Sequence, residues 1–481
     1  MQQRTGAIVE DILRIGAADQ RDRIAAGRLT AVALMEATLE RIEAVNGRLN
    51  AVVSARDTGE VMDEARAADA AGPGAALHGL PVAIKDLADA AGLPTSQGSP
   101  LFAGQIAASD SIHVARMRAA GAIVIGKTNT PEFGLGSHTY NPVHGATCNA
   151  YDASVSCGGS SGGAAVALAH GLVSLADGSD MMGSLRNPAG WNNVYGMRPS
   201  WGRVPGEPRE DVYLHQLSTN GPMGRSPRDL ALLLSVMEGR DARHPQGWPF
   251  APVLAPKGQV DGTRVAWLGD WGGAWPFEEG VLSLCEDALA VFEDLGVAVE
   301  ALDAPHPREA LWEAWTTLRS FAVGASLAPM MEDAEKRARL KSEAIWEAER
   351  GLALTAPEIQ RASALRSGWY HRALELFERF DAFVLPTAQV WPFALDRDWP
   401  DRIGEVAMDS YHRWMEVVVP ASLIGLPAVA VPAGFGKNGL PMGLQIVGAP
   451  GADQAVLEIA EAWHRATDHV AAHPPPKLSA R

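Results

Sequence analysis

Apolar residues recur every three or four positions through the first seventy residues, and from about residue 80 they gather instead into short unbroken runs. Met35, Leu39, Ile42, Val45 and Leu49 fall on one face of a helix, and Thr30 stands where an N-cap would accept the first free amides. Leu80 to Ile84 and Ala122 to Ile125 are the right length for buried strands, with a helical stretch from His113 to Ala120 between them. That alternation predicts strand–helix–strand units and a parallel sheet component. The texture repeats with a strand at Val265 to Leu268 and a helix from Glu278 to Leu295. Residues 305–380 read as mostly helical, charged and tryptophan-containing, after which strands return at Phe383 to Leu385 and Ala428 to Val431.

No change of composition or Pro/Ser-rich linker divides these regions, and no internal repeat is visible. The expected organisation is an N-terminal helical segment, 1–70, packed on a single domain, 71–481, with a helical elaboration at about 305–380. Val417 to Phe435 lacks any charge and is long enough to imitate a membrane span. Pro420, Pro427 and Pro432 inside it argue for a buried strand with flanking turns.

Composition narrows the function classes. A net charge of −16 over 481 residues argues against direct binding to nucleic-acid backbone, where a basic face is needed. Cys148, Cys157 and Cys285 form no CxxC pair, and the thirteen histidines include no HExxH, so no metal site is expected. Glu10, Asp11 and Arg14 interrupt the apolar run that a signal peptide needs, and a cytoplasmic location is expected.

The stretch from about 145 to 205 is rich in glycine and poor in charge, the composition that lets backbone approach backbone or ligand closely. It holds two serines set in glycine, 24 residues apart: Ser160 in Gly158-Gly159-Ser160-Ser161-Gly162-Gly163, and Ser184 in the segment from Gly178 to Arg186. Ala164 stands where a phosphate-binding loop needs lysine, so nucleotide binding is disfavoured, although a nest of amides there would suit an oxyanion. A serine attacks an amide only if a base takes its proton, and no Gly-x-Ser-x-Gly elbow with a histidine partner is evident. Lys85 follows the apolar run Leu80 to Ile84, and a lysine desolvated there would lose its proton near neutrality. The same lysine could instead be a strand-end residue paired with its neighbour Asp86.

These elements, in this order, resemble the amidase signature family. The match extends through Thr95 to Ser99, Gly126 to Phe133, Asp180 to Pro188, Gly221 to Met223, Gly425 to Ala428 and Gly439 to Gln445. The resemblance implies an α/β fold, one large mixed β-sheet core flanked by helices on both faces. It implies Ser184 as the nucleophile, Ser160 as a serine following a cis peptide bond, and Lys85 as the base. The oxyanion hole would be the backbone amides of Met181, Met182, Gly183 and Ser184. The family's pattern has two glycines before the nucleophile, and Met182 replaces the first, which would strain the chain if that position needed a positive φ.

Asp180 and Arg186 flank the nucleophile and are expected to brace its loop by pairing, with Ser161 as a supporting hydrogen-bond partner. Gly134, Leu135, Met182 and Trp191 are the expected substrate contacts, and the side chains of Met181 and Met182 are expected to shape or narrow the acyl pocket. Fourteen tryptophans against eleven phenylalanines favour an apolar or aromatic acyl group. The expected activity is hydrolysis of a small carboxamide or an aryl or hydrophobic amide, without cofactor and without nucleic-acid or membrane partner. A homodimer is implied by the resemblance alone. Two alternatives stay open: a glutamine amidotransferase subunit working with a partner, and an esterase, hydrazide or cyclic-amide hydrolase using the same acyl-enzyme.

Overall fold

The structure, a computed structural model, describes residues 12–208 and 211–478. The first eleven residues of the expected N-terminal segment, with Glu10 and Asp11, therefore lie outside the described residues. Eleven strands form one sheet: β1 (Val52–Val53), β2 (Pro81–Lys85), β3 (Ile123–Thr128), β4 (Leu175–Asp180), β5 (Tyr195–Arg198), β6 (Thr219–Gly224), β7 (Arg264–Trp267), β8 (Ala298–Ala301), β9 (Ala382–Pro386), β10 (Ala428–Phe435) and β11 (Pro441–Gly448). Their spatial order is β1-β3-β2-β4-β6-β5-β10-β11-β9-β7-β8. Strands β3, β2 and β4 run parallel, as do β9, β7 and β8, while the strands between them are antiparallel, so the sheet is mixed.

The two-residue period of a strand explains the two apolar layers. On β2, Val82 and Ile84 join one core cluster, and Ala83 joins another on the opposite face. That second cluster contains the helix Gly162–Ala169 and the amphipathic helix Ala31–Leu49. Thr30 caps the latter, its hydroxyl accepting from the Ala33 amide at 3.0 Å. Lys85 shares parity with Ala83 and so faces the Gly162–Ala169 side.

The helices of the 305–380 region are Arg308–Met331, Ala334–Arg337, Ser342–Ala353 and Ala356–Phe377. The Glu278–Leu295 stretch is two helices, Val281–Ala288 and Ala290–Asp294. The uncharged Val417–Phe435 segment begins with a helical turn, Val419–Leu423, before entering β10. Pro432 is accommodated on β10 because the pairing with β11 shifts register between Pro432 and Gly434. No helix among the described residues is long and apolar enough to cross a membrane.

Candidate active site

Lys85 is the last residue of β2 and Asp180 the last of β4, the neighbouring parallel strand. The site therefore opens at the carboxyl ends of parallel strands, where the chain leaves the sheet and loops can converge. The Lys85 ammonium nitrogen lies 2.7 Å from Ser160 Oγ, 2.9 Å from Ser161 Oγ and 3.1 Å from Ser179 Oγ. Burial pushes its pKa down to about 7, even though Asp177 and Asp180 favour the charged form. The pairing with Asp86 does not occur. Consecutive strand residues point to opposite faces, and Asp86 instead meets Lys127 at 3.3 Å and the Ser96 hydroxyl.

The Gly159–Ser160 peptide is cis. Glycine is required around it: a Cβ at Gly162 would lie 2.3 Å from Thr139 Oγ1, and one at Gly163 would lie 2.4 Å from the Asn129 nitrogen. Exposure rises along the row of reactive groups, from 1% at Lys85 to 2% at Ser160 and 6% at Ser184. Ser184 is thus more open to a ligand than Ser160. Its carbonyl accepts from the Ser161 amide at 3.2 Å, which ties the Ser184 segment to the glycine loop.

Asp180 holds that segment from beneath. Burial favours its neutral form, but Arg186 (3.0 Å) and Arg198 (3.3 Å) keep the carboxyl well below the ordinary carboxylate range. Its oxygens also accept from the amides of Gly183 at 2.9 Å and Leu185 at 3.2 Å. This corrects the expected oxyanion hole. The Gly183 amide is already committed, while those of Met181, Met182 and Ser184 donate to no protein group among the described residues. Met182 carries no positive φ; the left-handed residue is Gly183, at φ 76°, where a Cβ would meet Val418 at 2.8 Å. The methionine is therefore free of backbone strain.

The four expected substrate contacts divide. Gly134, at φ 69°, stands beside the serine: a Cβ there would lie 3.4 Å from Ser160 Oγ. Leu135 packs instead into a separate apolar cluster with Val323, Leu327 and Leu340 of the helical region. Met182 is buried in the main core, so its side chain does not narrow a pocket; the half-buried Met181 faces Arg319 instead, 3.4 Å from Nη1. Trp191 is fully buried, stacked on Trp414 and edge-on to Phe393, and is a core residue beneath Gly158 rather than a wall open to a ligand.

Three participants escaped the sequence reading: Ser179, Arg198 and the pair His113–Asp177. The pairing of β4 with β2 is the signal that could have found two of them, since it sets Asp177 and Ser179 beside the end of β2 that carries Lys85. Cys157 is no second nucleophile, because burial raises its thiol far above neutrality. No group of histidine, cysteine and acidic residues suited to a metal occurs among the described residues. A cavity of about 920 Å³ is lined by residues near both chain ends, such as Arg41 and Glu461, and by none of Lys85, Ser160 or Ser184.

A profile of the Amidase family matches residues 33–457. An acylamidase of Rhodococcus erythropolis is 34% identical over 93% of this chain and 94% of its own length. A glutamyl-tRNA(Gln) amidotransferase subunit of Thermus thermophilus is 35% identical over 93% and 96%, respectively. Among solved structures, a bacterial aryl acylamidase of the amidase signature family superposes with a TM-score of 0.89 at 27% identity, covering 96% of this chain and 99% of the other.

Proposed function

The chain belongs to the Amidase family, the amidase signature enzymes, and from that membership we propose that it is a stand-alone amidase working through a Ser184 acyl-enzyme. It cleaves the C–N bond of a small carboxamide or an aryl or hydrophobic amide, giving a carboxylic acid and ammonia or an amine. The observation that carries this reading is the buried Lys85 amine, brought to a pKa of about 7 and 2.7 Å from Ser160 Oγ. A base poised near the working pH is half the time neutral and still strong enough to take a proton.

Neutral Lys85 accepts the proton of Ser160 as Ser160 accepts that of Ser184, and Ser184 Oγ bonds to the amide carbon. The free amides of Met181, Met182 and Ser184 are the donors for the oxyanion. The proton then passes back to the departing nitrogen, the C–N bond breaks, and water enters by the reverse route to release the acid. Asp180, Arg186 and Arg198 act on the loop and not on the substrate, and Ser161 supports Lys85.

The likeness to an acylamidase and to an aryl acylamidase supports an uncharged, apolar amide. The likeness to an amidotransferase subunit supports a second reading, in which the chain works with a partner. Release of aniline or ammonia from a panel of anilides and aliphatic carboxamides, measured on the purified chain alone, decides between them. Turnover abolished by Ser184→Ala supports the amidase. Turnover seen only with a partner subunit supports the amidotransferase.

A further inference from the structure

Behind Lys85, on the side away from the serines, lies a pair that the relay does not use. The Lys85 backbone amide donates to Asp177 Oδ1 at 2.7 Å, and Asp177 Oδ2 is 2.9 Å from His113 Nε2. Both side chains are buried. His113 comes from the helix Ile112–Ala119 and Asp177 from the middle of β4, so the pair fastens that helix to the strand ends that form the site. Asn220 of β6 approaches His113 Nδ1 at 3.4 Å, which fits an imidazole carrying its proton on Nε2 and donating to Asp177.

We propose that His113 and Asp177 are positioning residues for the lysine: Asp177 holds its main chain and supplies the negative charge against which its amine exchanges protons, and His113 orients that carboxylate. The inference rests on Lys85 being the base. The charged and titratable groups around the pair are Lys85 on β2, Lys127 on β3, His113 itself, and Asp180 with its partners Arg186 and Arg198. Asp177 and Asp180 both favour the lysine's ammonium, in opposition to burial. Of the two, Asp180 is neutralised by two arginines, which leaves Asp177 as the carboxylate whose charge Lys85 feels with least compensation.

The test is Asp177→Asn, which keeps an oxygen for the Lys85 amide and removes the charge. In the wild type, kcat/KM rises tenfold per pH unit up to about 7, where Lys85 loses its proton, and is flat above. In the variant that acid limb moves down by about one pH unit. The plateau falls about threefold, because the base is weaker, and KM is unchanged. Should the imidazole's change of tautomer impair folding, Asp177→Asn with His113→Gln supplies a matched amide pair and must show the same downward shift. A limb that stays in place while activity falls would overturn the proposal, leaving the pair a structural brace. Direct titration of the Lys85 ¹³Cε resonance separates the two levels. If the wild-type limb does not follow Lys85, the base assignment fails. If it does, and Asp177→Asn leaves the titration unmoved, only the present inference fails.

Discussion

Two lysines sit side by side on neighbouring parallel strands, and their surroundings give them different chemistry. Lys85 on β2 pairs in register with Thr128, and Lys127 on β3 pairs with Ile84. Both are buried, and burial lowers both pKa values. Lys127 is held by the carboxylate of Asp86 at 3.3 Å, by the carbonyls of Ala88 at 2.7 Å and Pro94 at 3.2 Å, and by the Thr95 hydroxyl at 3.0 Å. Three of these four partners only accept, one of them a carboxylate, so they demand a donor-rich ammonium. Lys85 is met by three hydroxyls within 3.1 Å, which can accept from an ammonium or donate to a neutral amine, with a single carbonyl, that of Ser179, farther off at 3.4 Å. Burial alone does not make a base. A shell that satisfies both protonation states does.

That contrast is exposed to test by exchanging one lysine at a time. Lys85→Met should lower kcat/KM by at least ~10³-fold while leaving the folded state intact in thermal unfolding. A loss below tenfold would remove Lys85 from the chemistry. Lys127→Met strands the Asp86 carboxylate in the core and should cost about 3–5 kcal/mol in urea unfolding. The protein that remains folded should keep far more turnover than Lys85→Met does. Ser179→Ala withdraws one of the three hydroxyls and should reduce kcat/KM only about fivefold, the value of a single neutral hydrogen bond.

Much of this was legible in the residues themselves. The apolar run before Lys85 marked a buried strand end, Thr30 and the periodic apolar face marked the helix Ala31–Leu49, and the glycine loop marked where backbone comes close to the site. Lys85's partner was not legible, because adjacent Asp86 competes on paper with hydroxyls 75 and 94 residues away. Only the strand's alternation and the β2–β4 pairing decide between them. The roles given to Trp191 and Leu135 failed for a related reason. Sequence proximity to Ser184 or to Gly134 does not say which way a side chain turns, and both turn into apolar clusters. Met182 resolved in the same manner, since the position demanding a positive φ is the retained Gly183.

The central claim is that the Lys85–Ser160 relay activates Ser184, and covalent trapping tests it most directly. Intact-protein mass spectrometry after reaction with an aryl fluorophosphonate, followed by peptide mapping, would compare wild type with Ser184→Ala. The account predicts one adduct per chain, on the peptide containing Ser184, forming faster as pH rises through about 7 and absent from the variant. An adduct on Ser160, or equal labelling of the folded Ser184→Ala protein, would contradict it.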